Sequence, residues 1–146
     1  MSLDPAALPA APGAYLLAVR VARPLVLRLP ATGTVTLEAG TYLYAGSARG
    51  PGGIRARVGH HLRRGKRAHW HVDRLTAAGR VVAVAVAPGG SECALFAAVS
   101  GLSGALLPAP GFGSSDCRRC AAHLAQVDEA ELAGPALDPI VTWLHS

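Results

Sequence analysis

Apolar residues run almost unbroken through AYLLAVRV (residues 14–21), between Pro12-Gly13 and Pro24, and predict a strand. PLVLRL (24–29) reads as its hairpin partner. TVTLEA (34–39) alternates, and Gly40 turns it into TYLYAG (41–46). The first third is therefore strands joined by tight turns. After Gly50-Pro51-Gly52-Gly53 the period changes. Ile54, Val58 and Leu62 recur every fourth residue, as on one helix face, and Arg57, His61 and Arg64 form the next stripe. HWHVDRLTAAG (69–79) predicts a second short helix stopped by Gly79, and VVAVAVA (81–87) a buried strand. ECALFAAVS (92–100) predicts a helix capped by Ser91. Residues 101–111 read as loop, Ser114 or Ser115 as the cap of a helix starting near Asp116, and residues 128–136 as linker. Asp138-Pro139 suits the N-cap and first turn of a short last helix. The expected organisation is an N-terminal tail (1–12), one domain (13–127) and a C-terminal extension with that helix (128–146).

A chain of 146 residues, 51% of them hydrophobic, can build one domain with a real core, which sets wholesale disorder aside. No apolar run reaches the roughly 18 residues needed to cross a bilayer. MSLDPAALPAAPG lacks the basic start and apolar stretch of a signal peptide. Three cysteines, an odd number, do not suggest a disulfide scaffold. A cytoplasmic protein with no membrane partner is the expectation. Charge changes the picture more. The net charge is +5, yet residues 49–74 carry +7 and the rest of the chain −2. That basic stretch also holds His60, His61, His69 and His71. Such a patch fits a polyanion, most often nucleic acid; the plain alternative is a solvated basic face.

Five features then fall in a telling order. Gly13-Ala14-Tyr15 lies on the first strand, and Tyr44-Ala45-Gly46 ends a later one, followed by Ser47. Ile54, Arg57 and His61 give apolar-x-x-Arg-x-x-x-His on a helix, and Glu92 opens a later helix. This order resembles the GIY-YIG nuclease superfamily. More closely, it resembles that superfamily's compact branch of unknown function, sometimes fused to endonuclease III-type DNA-repair enzymes. The shared elements are YxYxGSA, HWHxD, the Glu92-Cys93 pair and GFGSSDC, and the likeness covers residues 13–124.

The resemblance implies an α+β fold, a small central antiparallel sheet flanked by helices. An added N-terminal hairpin over residues 24–39 would account for the twenty-eight residues between Tyr15 and Tyr44. It also implies a phosphodiesterase using one divalent metal, magnesium or manganese, and acting on DNA in repair or processing; RNA stays open as a substrate. Tyr15 and Tyr44 would flank the scissile phosphate, one of them helping to activate the attacking water. Arg57 would bind phosphate with His61 beside it, and Glu92 would hold the metal. The superfamily places an asparagine near the end of the domain, and this chain contains none. Ser114, Ser115 and Asp116 are the candidate substitutes.

The residue types suit that chemistry on their own terms. Phosphodiester cleavage builds charge on the non-bridging oxygens, which an arginine meets with paired donors. Mg²⁺ commonly takes one or two carboxylates and keeps several waters. A histidine four residues after the arginine faces the same side of a helix. The turn glycines are expected to let backbone amides approach a phosphate. Ser47, Arg49, Arg55, Arg63, Arg64, Lys66, Arg67 and His69 are the expected contacts to the nucleic-acid backbone. Cys93, Cys117, Cys120 and His123 could form a zinc set, but 117, 120 and 123 drift around a helix, so buried thiols are the simpler reading. A competing function is a non-catalytic nucleic-acid-binding module on the same fold, and a third is a protein-interaction domain with an incidental basic face.

Overall fold

The computed structural model describes residues 5–29, 33–63, 71–102, 104–106, 124–128, 130 and 142–145. The fold is α+β. Among the described residues, seven strands run in chain order: β1 (Gly13–Val21), β2 (Leu25–Leu29), β3 (Gly33–Leu37), β4 (Gly40–Ala48), β5 (Arg80–Pro88), β6 (Leu124–Val127) and β7 (Thr142–His145). Helices α1 (Gly53–Leu62), α2 (His71–Ala78) and α3 (Glu92–Ser100) connect them, after a 3-10 turn at Pro5–Ala7.

β1 is apolar at every position except Arg20 because it is buried on both faces. It lies at the centre of a five-stranded antiparallel sheet ordered β6-β4-β1-β5-β7. Its odd-numbered residues Tyr15, Leu17 and Val19 pack with Ile54 and Val58 of α1 and Leu75 of α2. Its even-numbered residues Ala14, Leu16 and Ala18 face Leu95, Phe96 and Val99 of α3. Alanines at 14, 18, 45, 83, 85 and 87 keep that second face shallow, so α3 can lie close to the sheet. Ser91 caps α3 through its Oγ, which accepts the Ala94 N–H at 3.4 Å.

Three expectations change. PLVLRL does not pair with the first strand: β2 pairs with β3 in a separate two-stranded sheet, while β1 takes β4 and β5 as neighbours. The added hairpin is thus self-contained, anchored by buried Leu27 and Leu37 in the core beneath α1 and α2. The last segment also differs. Residues 138–141 lie outside the described set, but Thr142–His145 pair with β5 as a strand and do not continue a helix. Thr142 and Trp143 favour extended backbone, and β5 otherwise presents an open edge. Finally, residues 5–12 are no loose tail. Leu8 is only 2% exposed and belongs to the core around Tyr15. The proposed helix near Asp116 falls outside the described residues. Among the described residues, no helix is long and apolar enough to cross a membrane.

Candidate active site

The site is built where β1, β4 and α1 meet. Tyr15 is the third residue of β1 and projects toward α1. Its partner across the ladder is Gly46, at the end of the Tyr44-Ala45-Gly46 motif. A Cβ on Gly46 would fall within the end of the Tyr15 ring. The two motifs are therefore halves of one packing device: the glycine of one vacates the space that the tyrosine of the other fills.

α1 is held against this surface by Ile54 and Val58, both fully buried. Arg57 and His61 then turn toward the tyrosines, as the i, i+4 spacing requires. His61 is 2% exposed. Its Nε2 lies 2.8 Å from the Tyr15 hydroxyl in a buried hydrogen bond. A neutral imidazole carries one donor and one acceptor nitrogen, and the hydroxyl can pair with Nε2 in either role. Tyr44 completes the cluster, its ring centroid 6.4 Å from both the Tyr15 ring and the His61 ring.

Burial pushes the Tyr15 phenol well above its ordinary value near 10.0. Tyr44 adds to the rise, the Arg57 charge and its hydrogen bond to the phenol pull the other way, and Glu92 raises it again. All three side chains therefore lie within electrostatic reach of one hydroxyl. Glu92 arrives from the opposite side of the sheet, at the first turn of α3, where a helix N-terminus stabilises its negative charge. Tyr15, Tyr44, Arg57, His61 and Glu92, drawn from four separate elements, converge on one end of the sheet.

The cluster is layered. Tyr15 and His61 lie at the bottom, Tyr44 is 7% exposed above them, and Arg57 and Glu92 are half-buried at the rim. A half-buried carboxylate at the rim fits a divalent cation that keeps most of its waters. Among the described residues no three metal-ligating side chains cluster. Cys93 is half-buried and forms no disulfide among the described residues. Cys117, Cys120 and His123, like Ser114, Ser115 and Asp116, lie outside them.

The basic stretch divides. Arg49 and Arg63 are exposed, and Ser47 is half-buried at the end of β4. Arg64, Lys66, Arg67 and His69 lie outside the described residues. Arg55 is exposed, but its Nε donates to the Leu8 carbonyl at 2.8 Å. The expected phosphate-binding amides of the glycine turn are also committed. Gly53 and Ala56 donate to Gly50 and Gly52, while Ile54 and Arg55 donate to Ala11 and Pro9. The start of α1 therefore offers no spare amide at these positions. His60, not singled out by the motif, is half-buried with its ring centroid 5.7 Å from that of His61. Only the His60-His61 doublet could have hinted at it.

Tyr15→Phe is expected to cost about 1–3 kcal/mol of stability, because it leaves His61 Nε2 buried without this partner. Urea unfolding at neutral pH measures it. A second consequence concerns alkaline pH. The raised folded-state value means that the unfolded chain gives up this proton first. Tyr15's contribution to stability is thus complete below the unfolded phenol's value near 10 and declines as pH rises above it. Phenolate absorbance should then appear in step with unfolding, for Tyr15 at least.

A family model described as a domain of unknown function, DUF123, matches residues 14–141. No curated protein and no solved structure matches the chain.

Proposed function

From a chain that belongs to the DUF123 family and brings these five side chains together, we propose a metal-dependent endonuclease of the GIY-YIG kind, hydrolysing phosphodiester bonds in DNA during repair or processing. The observation that carries this reading is the convergence on the Tyr15 hydroxyl of His61, Arg57, Tyr44 and Glu92. A buried phenol, an arginine and a carboxylate from three elements have no packing reason to meet. Together they provide for a phosphate and its counterion.

In hydrolysis a water oxygen bonds to phosphorus, one ester P–O bond breaks, the water loses a proton and the departing oxygen gains one. Arg57, at the rim, meets the charge on the non-bridging oxygens with paired N–H donors. Its hydrogen bond to Tyr15 fixes the direction of the guanidinium. Tyr15 keeps its proton at neutral pH and is therefore not the base. Its task is to hold His61 and Arg57 in register. Tyr44, the more open of the two tyrosines, would hydrogen-bond the attacking water. Glu92 would hold a magnesium or manganese ion, which when bound polarises the phosphate and lowers the pKa of water. The basic face contributed by Arg49 and Arg63 supplies backbone attraction without base reading.

The test is cleavage of a panel of branched, flapped and damaged DNA by the purified chain. Cleavage in Mg²⁺, stopped by chelator and restored by Mg²⁺ or Mn²⁺, is the expected result. Salt-sensitive binding without cleavage on the whole panel would identify a non-catalytic binding module. No binding even at low salt would point to a protein-interaction domain.

A further inference from the structure

α1 starts without a side-chain cap. Gly52, at the N-cap, has φ 82° and, as a glycine, offers no side chain to the first amides. The residues before β1 do that work. The Ala11 carbonyl accepts the Ile54 N–H at 3.0 Å, and the Pro9 carbonyl accepts the Arg55 N–H at 2.9 Å. The Leu8 carbonyl accepts Arg55 Nε at 2.8 Å. The approach is so close that a Cβ on Gly53 would run into the carbonyls of Ala10 and Ala11.

The same segment reaches the other side of the site. The Pro12 carbonyl accepts the Gly89 N–H at 2.9 Å, in the short loop between β5 and Glu92. Residues 9–12 read Pro-Ala-Ala-Pro. The two prolines fix φ and carry no N–H, so this is a stiff strip that presents acceptors. Leu8 anchors one end in the core, and β1 with Tyr15 continues from the other. One strip thus grips the helix that carries Arg57 and His61 and the loop that delivers Glu92.

We propose that residues 8–12 form a positioning clamp for the site, setting α1 against the β5–α3 loop, and that Arg55 belongs to this clamp and not to the nucleic-acid surface. The kinetic part of this inference rests on the nuclease reading; the clamp itself does not. A misplacement of about an ångström can cost up to a hundredfold in rate, so a loosened clamp should lower kcat.

The test compares Arg55→Ala with Arg55→Gln. The glutamine Nε2 stands the same number of bonds from Cα as the arginine Nε, so it can donate to Leu8 without the charge. Arg55→Ala is expected to lower kcat about tenfold with KM little changed, and Arg55→Gln to recover most of it. The salt dependence of DNA binding should be the same in both variants as in the wild type. Equal losses in both variants, with a salt slope shallower by about 0.9, would make Arg55 a phosphate contact and overturn the proposal. Amide exchange supplies the arm that needs no activity. Arg55→Ala should speed exchange at positions 54 and 55 and also at Gly89, across the site, while the central strands stay protected. Unchanged exchange at Gly89 would overturn the clamp even if the wild-type chain cleaves nothing. Faster exchange with unchanged kcat in an active enzyme would overturn its positioning role.

Discussion

Replacing Arg57 with alanine is expected to lower the cleavage rate about 10²–10³-fold, the usual cost of losing one well-placed donor to a developing oxyanion. Glu92→Ala should fall at least as far, because Glu92 is the carboxylate whose charge reaches the Tyr15 hydroxyl. The two variants should differ in what they keep. Arg57 sits half-buried against the tyrosine, and its loss would remove a contact that strengthens as charge builds on the non-bridging oxygens. The fall belongs in kcat, with KM nearly unchanged. Arg57→Lys should recover little, since an ammonium cannot reproduce a planar fork that contacts both a phenol and a phosphate. Glu92→Ala should keep full DNA affinity and lose the response to Mg²⁺. Arg63→Ala, altering an exposed arginine at the end of α1, is the contrast: it should raise KM and flatten the salt dependence with kcat intact. Arg57→Ala with a rate within threefold of wild type would sink the proposed role.

The strands and α1 were legible in the sequence through side-chain periodicity, and Tyr15, Tyr44 and Glu92 only through the order of the motifs that hold them. β1, β4 and β5 announce themselves as apolar runs because each is buried on both faces. α1 shows its buried face through Ile54 and Val58, and Arg57 and His61 follow from the same spacing. What stayed hidden depends on backbone or on pairing. The strip at residues 8–12 caps α1 with main-chain carbonyls, which leave no residue-type signature apart from two prolines. That is why Arg55 reads as one more basic residue in a basic stretch. β2 looks like a partner for β1 because local pattern does not encode which strand lies alongside. β7 is four residues long and follows an Asp-Pro pair that favours a helix start, so its ladder with β5 is a tertiary effect. The burial of Tyr15 was equally invisible, and it is what separates the roles of the two tyrosines.

Gly46→Ala is expected to be among the most damaging single changes available to the chain, although it adds one methyl group. Backbone freedom is not the reason, since Gly46 is not among the residues with positive φ. The reason is the register. Gly46 faces Tyr15 directly across the β1–β4 ladder, and the added carbon would overlap the ring near its hydroxyl. β4 is paired on its other side with β6 and β1 with β5, so neither strand can slide away cheaply. Tyr15 is fully buried and tied to His61 at 2.8 Å, so the ring cannot swing out either. Overpacking of this kind costs typically 1–3 kcal/mol and sometimes more, and this position should lie at or above about 3 kcal/mol. Activity should vanish with it, because the displaced phenol carries both His61 and Arg57. A double-mutant cycle isolates the cause. In a Tyr15→Ala background the same Gly46→Ala change should cost less than about 1 kcal/mol, giving a coupling of about 2 kcal/mol or more. Gly50→Ala is the control: no atom lies within 4 Å of its added Cβ, and it should shift stability by no more than about 0.5 kcal/mol. Additive costs for Tyr15→Ala and Gly46→Ala, measured by urea unfolding, would mean that the two motifs are not interlocked and that this end of the sheet is held in some other way.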